Sequence, residues 1–243
     1  TSTNSSIGLI YALKKIFMEL KNKKYERIKH LISKHSFTKF QLITNYGLFS
    51  GNTNLFKTFK VFELVKEVEK LKGDIIELGV HKGNTSLLIK KILDIYKIKK
   101  KLFLLDHFSG LKNFSKNDPK KSKNFKGRYK SSINKLKDFI KFFNFKNVEI
   151  INIDAEKLTI DHFKKNKFSL IYLDMDLYKP TKISLEVLSK KLVKNGLIVF
   201  DQGNSSIWGE TQAAKEFIKK NKNFKIVFID SFYQPNLVIK KIN

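Results

Sequence analysis

Carboxylates close four successive apolar runs of this chain. Asp106 lies toward the end of Lys101–Phe108, Asp154 ends Val148–Asp154, Asp174 and Asp176 straddle the end of Phe168–Met175, and Asp201 ends Leu197–Asp201. Any one of them also reads as a helix cap or turn residue. Four together are different. In an open α/β sheet they converge on the crevice outside the strand ends, where they repel one another unless a positive charge sits among them. A cationic cofactor or a metal supplies that charge. Upstream, the run Asp74–Val80 leads into Glu77-Leu-Gly79-Val80-His-Lys-Gly83-Asn84-Thr85. Gly79 and Gly83 allow a tight turn and close backbone approach to a ligand, and Asn84 or Thr85 can cap the following helix. The dinucleotide pattern G-x-G-x-x-G is absent, and Glu77 stands where a diphosphate loop would avoid negative charge. The ligand that fits carries an amine and a sulfonium. Asp106 is placed to accept hydrogen bonds from ribose hydroxyls, and Asp154-Ala155 to meet an adenine amino group.

These groups need a scaffold that brings strand ends together. From Gly73 onward short apolar runs alternate with helical stretches, expected at 84–97, 129–143, 156–166, 180–193 and 210–222. The early runs are continuous rather than alternating, as in strands buried on both faces. The fold class is therefore α/β, a doubly wound, mostly parallel, seven-stranded sheet of Rossmann-like type. The last two runs, Phe224–Asp230 and Leu237–Ile242, are joined only by Ser231–Asn236, too short for a parallel crossover, so they form an antiparallel hairpin. Residues 1–72 read as a helical accessory segment, with apolar spacing at Leu9-Ile10, Leu13, Ile16-Phe17 and Leu20 and again at Phe59, Phe62, Val65, Val68 and Leu71. Residues 73–243 form the α/β domain that carries these groups. The polar stretch 109–128, rich in Lys, reads as a functional lid.

Four segments together resemble the macrocin O-methyltransferase family: Glu77-x-Gly79-Val80-x-x-Gly83, Asp106-x-Phe108-x-Gly110-Leu111, Asp174-x-Asp176-x-Tyr178-x-x-Thr181, and Asn195-Gly196 before a strand ending at Asp201. The resemblance runs from about Gly73 to Phe217, and the Asp-x-Asp-x-Tyr-x-x-Thr stretch is its most specific part. It implies a class I methyltransferase that uses S-adenosylmethionine and Mg²⁺ to methylate a sugar hydroxyl. By the resemblance Glu77, Gly79 and Asp106 hold the cofactor, with Val80, Gly83, Thr85, His107, Asp154, Ala155 and Asp174 expected around it. Asp174 binds Mg²⁺, Asp176 is the general base, and Asp201 and Gln202 complete the metal ligands. The family pattern has two adjacent Asp at the last position. Here the second is Gln202, which offers a neutral carbonyl oxygen and one charge fewer.

Lesser candidates surround this set. His107 and His81 read mainly as loop histidines, Tyr178 either orients the site or packs beneath it, and Trp208 either stacks on a sugar or anchors a loop. The formal net charge of +27 invites nucleic acid, yet all but Arg27 and Arg128 of the 49 basic residues are Lys, spread along the chain beside abundant Asn, Ile and Phe. Base and phosphate recognition favours the Arg fork, so compositional bias competes with a functional basic face. The rivals are a nucleic-acid methyltransferase and a cofactor-binding protein with impaired catalysis. The absence of Cys excludes disulfides and thiolate chemistry and fits the cytoplasm. No apolar run reaches the length of a membrane span. The expected partner is a sugar-containing acceptor, acidic given the lid lysines, and a homo-oligomer is left open.

Overall fold

A computed structural model describes residues 55–243. The helical spacing and turns read in residues 1–54 lie outside the described residues. The compact unit runs Thr53–Asn243. Its first helix, α1 (Leu55–Glu67), buries Lys57, Val61, Leu64 and Val65. That stripe, continued by Val68, packs into the same apolar cluster as Ile75, Leu170 and Val199 of the sheet. α1 thus covers one face of the sheet.

The strands are β1 (Asp74–Leu78), β2 (Leu102–Asp106), β3 (Val148–Asn152), β4 (Phe168–Leu173), β5 (Leu192–Phe200), β6 (Phe224–Ile229) and β7 (Leu237–Lys241). They form one sheet in the order β3-β2-β1-β4-β5-β7-β6. The first five are parallel. β7 runs antiparallel between β5 and β6, and the expected β6–β7 hairpin is present. The other helices are α2 (Asn84–Ile95), α3 (Ile133–Phe142), α4 (Tyr178–Leu188) and α5 (Gly209–Lys220).

Side chains along a strand alternate between faces. Ile76, Leu78, Ile171, Leu173, Ile198 and Phe200 point to the face covered by α4 and α5. Ile75, Leu102, Leu104, Leu170, Tyr172, Leu197 and Val199 point to the face covered by α1, α2 and α3. This parity decides which face each strand-terminal acid inherits. Glu77, Tyr172, Asp174 and Asp201 carry the parity of the α1 face. Among the described residues no helix is long and apolar enough to cross a membrane.

Two expectations are corrected. No α-helix spans 156–166; two short 3₁₀ turns, Ala155–Lys157 and Ile160–Phe163, stand there instead. Thr159 between them is extended, and its hydroxyl and the His162 ring close a capping box that starts a new turn rather than continuing the old one. β5 begins at Leu192, before the apolar run at Leu197, because the chain bulges between the pairings Phe168↔Leu192 and Leu170↔Leu197, with Asn195 at φ 63°.

Candidate active site

The strand order reverses between β1 and β4, and a crevice opens where neighbouring strands send their following helices to opposite faces. β1 leads there into Gly79 at φ 88°. A Cβ on Gly79 would lie 1.8 Å from the Asp174 carbonyl oxygen, so only glycine lets the ends of β1 and β4 approach this closely. Gly83, at φ 84°, starts α2, and neither Asn84 nor Thr85 is its N-cap. Thr85 and Val80 are buried. The Asn84 Oδ1 is buried with no hydrogen-bond partner among the described residues. A buried acceptor without a donor is costly, and a ligand donor would relieve it.

Glu77 is buried, and Ser86 of α2 donates to its Oε2. Burial pushes the Glu77 carboxyl up to about 8, against the pull of that hydrogen bond. Asp106 is oriented by two backbone donors, the His81 N–H at 2.8 Å on Oδ2 and the Phe108 N–H at 2.6 Å on Oδ1. Each oxygen keeps a lone pair for a further donor. The His107 Nδ1 accepts from the Ser109 N–H at 3.0 Å, which fixes the ring within its own loop. Asp154 caps the 3₁₀ turn, its Oδ1 accepting from the Glu156 N–H at 2.9 Å, and Ala155 is buried beside it. His81 stands edge-on to Tyr129, centroids 5.6 Å apart.

Asp174 and Asp201 do converge, and the cation between them is Lys57 from α1. Its Nζ donates to Asp201 Oδ1 at 2.8 Å and lies 3.6 Å from Asp174 Oδ2. The Tyr172 hydroxyl donates to the same Asp201 oxygen at 2.6 Å. Burial alone would lower the Lys57 pKa, but Asp201 and Asp174 overcome it and hold the ammonium charged. Gln202 is tied by its backbone, its N–H donating to Glu210 Oε1 at 2.8 Å and its carbonyl accepting from the Thr211 hydroxyl at 2.7 Å. Among the described residues no group of three or more His, Cys, Asp or Glu is arranged to hold a metal ion. The set Asp174, Asp201 and Gln202, as folded, does not fit a divalent cation, because the Lys57 ammonium already lies between the two carboxylates.

Asp176 sits in the turn between β4 and α4 at φ 62° and is only 8% exposed. Its N–H and that of Met175 each donate to Glu210 Oε2 at 3.2 Å. The buried Glu210 carboxylate therefore gathers three backbone donors and fixes both acid-bearing turns. Burial, then the charges of Asp174 and Asp201, raise the Asp176 pKa well above the usual carboxylate range. No hydrogen bond to its carboxylate is formed among the described residues.

The stretch 109–128 is pinned at its base, where Leu111 and Gly127 bond across and Ser109 bridges Lys130. Inside it, Asp118 Oδ1 accepts the Tyr178 N–H at 2.8 Å while Oδ2 accepts from Ser115. Trp208 is buried against Phe125, centroids 4.8 Å apart, and so anchors the loop rather than facing the crevice. Tyr178 packs in the core and donates to Glu216 at 2.7 Å. Sequence reasoning missed Lys57, Tyr172, Glu210 and Asp118. Lys57 and Glu210 carried a signal: each lies on the apolar stripe of its helix, in register with Val61, Leu64 and Val68 and with Ala213, Ala214 and Phe217 respectively. A separate cavity of about 500 Å³ lies between α4, α5 and β6, away from these acids.

The sheet order, the glycine turn at the switch point and the strand-end acids define a class I methyltransferase fold. Solved structures share it: CalS11, a calicheamicin methyltransferase also described as a TDP-rhamnose 3'-O-methyltransferase (18% identity, TM-score 0.72, covering 90% of this chain and 91% of that one); the O-methyltransferase NovP (16%, 0.66, 77% and 80%); and the SAH-bound Podospora anserina methyltransferase PaMTH1 (14%, 0.53, 89% and 87%). No match is found among curated proteins. The chain belongs to the macrocin-O-methyltransferase (TylF) family, which it matches over residues 23–232, and is an S-adenosylmethionine-dependent O-methyltransferase.

Proposed function

We propose that the protein methylates a hydroxyl of a sugar, free in a glycan or carried on a nucleotide or glycosylated small molecule, with Asp176 as general base. The observation that carries this reading is Asp176 itself: a buried acid of raised pKa in the turn between β4 and α4, its backbone held by Glu210. A sugar hydroxyl is a weak nucleophile at neutral pH, and a base of raised pKa is matched to taking its proton during transfer, an effect of about 10²–10⁴-fold.

The cofactor, when bound, supplies an electrophilic methyl group on a sulfonium. Glu77 would meet its ammonium, Asn84 Oδ1 would gain a donor, and Asp106 would accept from the ribose hydroxyls. Val80, Gly83 and Thr85 would line the turn beneath it. His107, Asp154 and Ala155 would border the adenine, with Asp154 keeping Oδ2 for that contact. Asp174 and Asp201, expected with Gln202 to hold Mg²⁺, instead flank the Lys57 ammonium. Lys112, Lys116, Lys120, Lys121, Lys123 and Lys126 are exposed along the lid, which supports an acceptor bearing phosphate or another acid. The cysteine-free composition supports a cytoplasmic location.

The test is Asp176→Asn assayed with a nucleotide-linked sugar. Turnover is expected to fall by at least about two decades while the affinity for S-adenosylhomocysteine stays within about twofold. Near-wild-type turnover would remove Asp176 from the chemistry.

A further inference from the structure

The geometry points to Lys57 as the built-in cation of this site, a positioning residue that locks Asp174 and Asp201 and excludes a divalent metal from between them. Three observations carry it. The Nζ reaches carboxylates from two different strands, at 2.8 Å to Asp201 and 3.6 Å to Asp174. Its side chain is 8% exposed, so the ammonium is committed to this pocket rather than resting on it from the surface. The Tyr172 hydroxyl takes a further lone pair of Asp201 Oδ1 at 2.6 Å, leaving that oxygen already shared by two donors.

Charge and topology agree with this arrangement. Asp174 and Asp201 share the α1 face of the sheet by strand parity, and α1 buries Lys57 on the stripe that packs there. The next residue, Gln202, is neutral, so Asp174 and Asp201 face one fixed cation, the Lys57 ammonium. An acid pair buried with a fixed partner is preorganised, whereas removing that partner leaves an uncompensated buried charge that attracts another cation. A divalent ion entering the intact pocket would have to break the 2.8 Å ion pair and meet the ammonium's repulsion. The bearing of this on methyl transfer rests on the function proposed above; the ion-binding property does not.

The experiment titrates Mn²⁺ alone into the full chain and reads free ion by electron paramagnetic resonance, without cofactor or acceptor. The wild type is expected to show no binding below the millimolar range. Lys57→Ala is expected to bind at least tenfold more tightly, and Asp201→Asn in that background to abolish the gain. Lys57→Met retains the aliphatic stem and serves should the Ala variant not fold. Micromolar Mn²⁺ binding by the wild type that Asp201→Asn removes overturns the proposal, and so does a folded Lys57 variant that binds no more tightly than the wild type. In the companion assay wild-type turnover is expected to survive EDTA; turnover lost to EDTA and restored by Mg²⁺ also overturns it. Failure to methylate any sugar would instead count against the proposed function and leave the Mn²⁺ result standing.

Discussion

At the scale of single residues, the site is governed by how each carboxylate is partnered. Asp106 is held by two backbone N–H groups, Asp201 by Lys57 and Tyr172, and Glu210 by three backbone donors. Burial dominates at Glu77 and pushes its carboxyl up to about 8 from the ordinary 4.5. The sign follows from linkage. The unliganded fold prefers protonated Glu77, so Glu77 takes stability from the fold as pH rises through this interval. A cofactor ammonium needs the carboxylate, so binding near pH 7 must release the proton. Calorimetry of S-adenosylhomocysteine in buffers of different ionisation enthalpy is expected to report release of about one proton. Glu77→Gln is expected to abolish the release and weaken binding. Enthalpies independent of buffer would remove Glu77 from the contact. The strand-end acids were legible in sequence because an acid after an apolar run is conspicuous. Lys57 was less so: it stands on the stripe of Val61, Leu64 and Val68, but in a chain this rich in Lys that spacing is a faint signal, and the packing of α1 shows that this lysine is inside.

At the scale of elements, the sheet was legible because buried parallel strands read as continuous apolar runs, and β6–β7 because a six-residue link admits only a hairpin. The helix expected over 156–166 failed where local hydrogen bonding by Asp154, Thr159 and His162 outcompeted propagation. The lid's polarity was visible, but its anchor was not. Asp118, 4% exposed, joins Ser115 of the lid to the first turn of α4, directly after Asp176 and Leu177. Asp118→Ala removes charge-assisted bonds worth about 1.5–3 kcal/mol each. Proteolysis within 109–128 is expected to quicken, and kcat/KM for the acceptor to fall by roughly tenfold or more, with S-adenosylhomocysteine affinity unchanged. Unaltered cleavage kinetics would show that the lid is secured elsewhere.

At the scale of the whole molecule, the formal charge of +27 sets what the surface attracts. A field of this sign raises the local concentration of any anion, whether a nucleotide-linked sugar or RNA, and both interactions weaken with salt. Charge alone therefore does not choose between the sugar reading and its nucleic-acid rival; the acceptor that receives the methyl group does. The most direct measurement gives the enzyme methyl-labelled S-adenosylmethionine and, in one competition, a panel of nucleotide-linked sugars together with total RNA. The account predicts that the label enters a sugar hydroxyl as a base-stable methyl ether, recovered on the small-molecule fraction, and that added salt lowers its rate without redirecting it. Label recovered in RNA, with every sugar acceptor unmodified, would contradict the account.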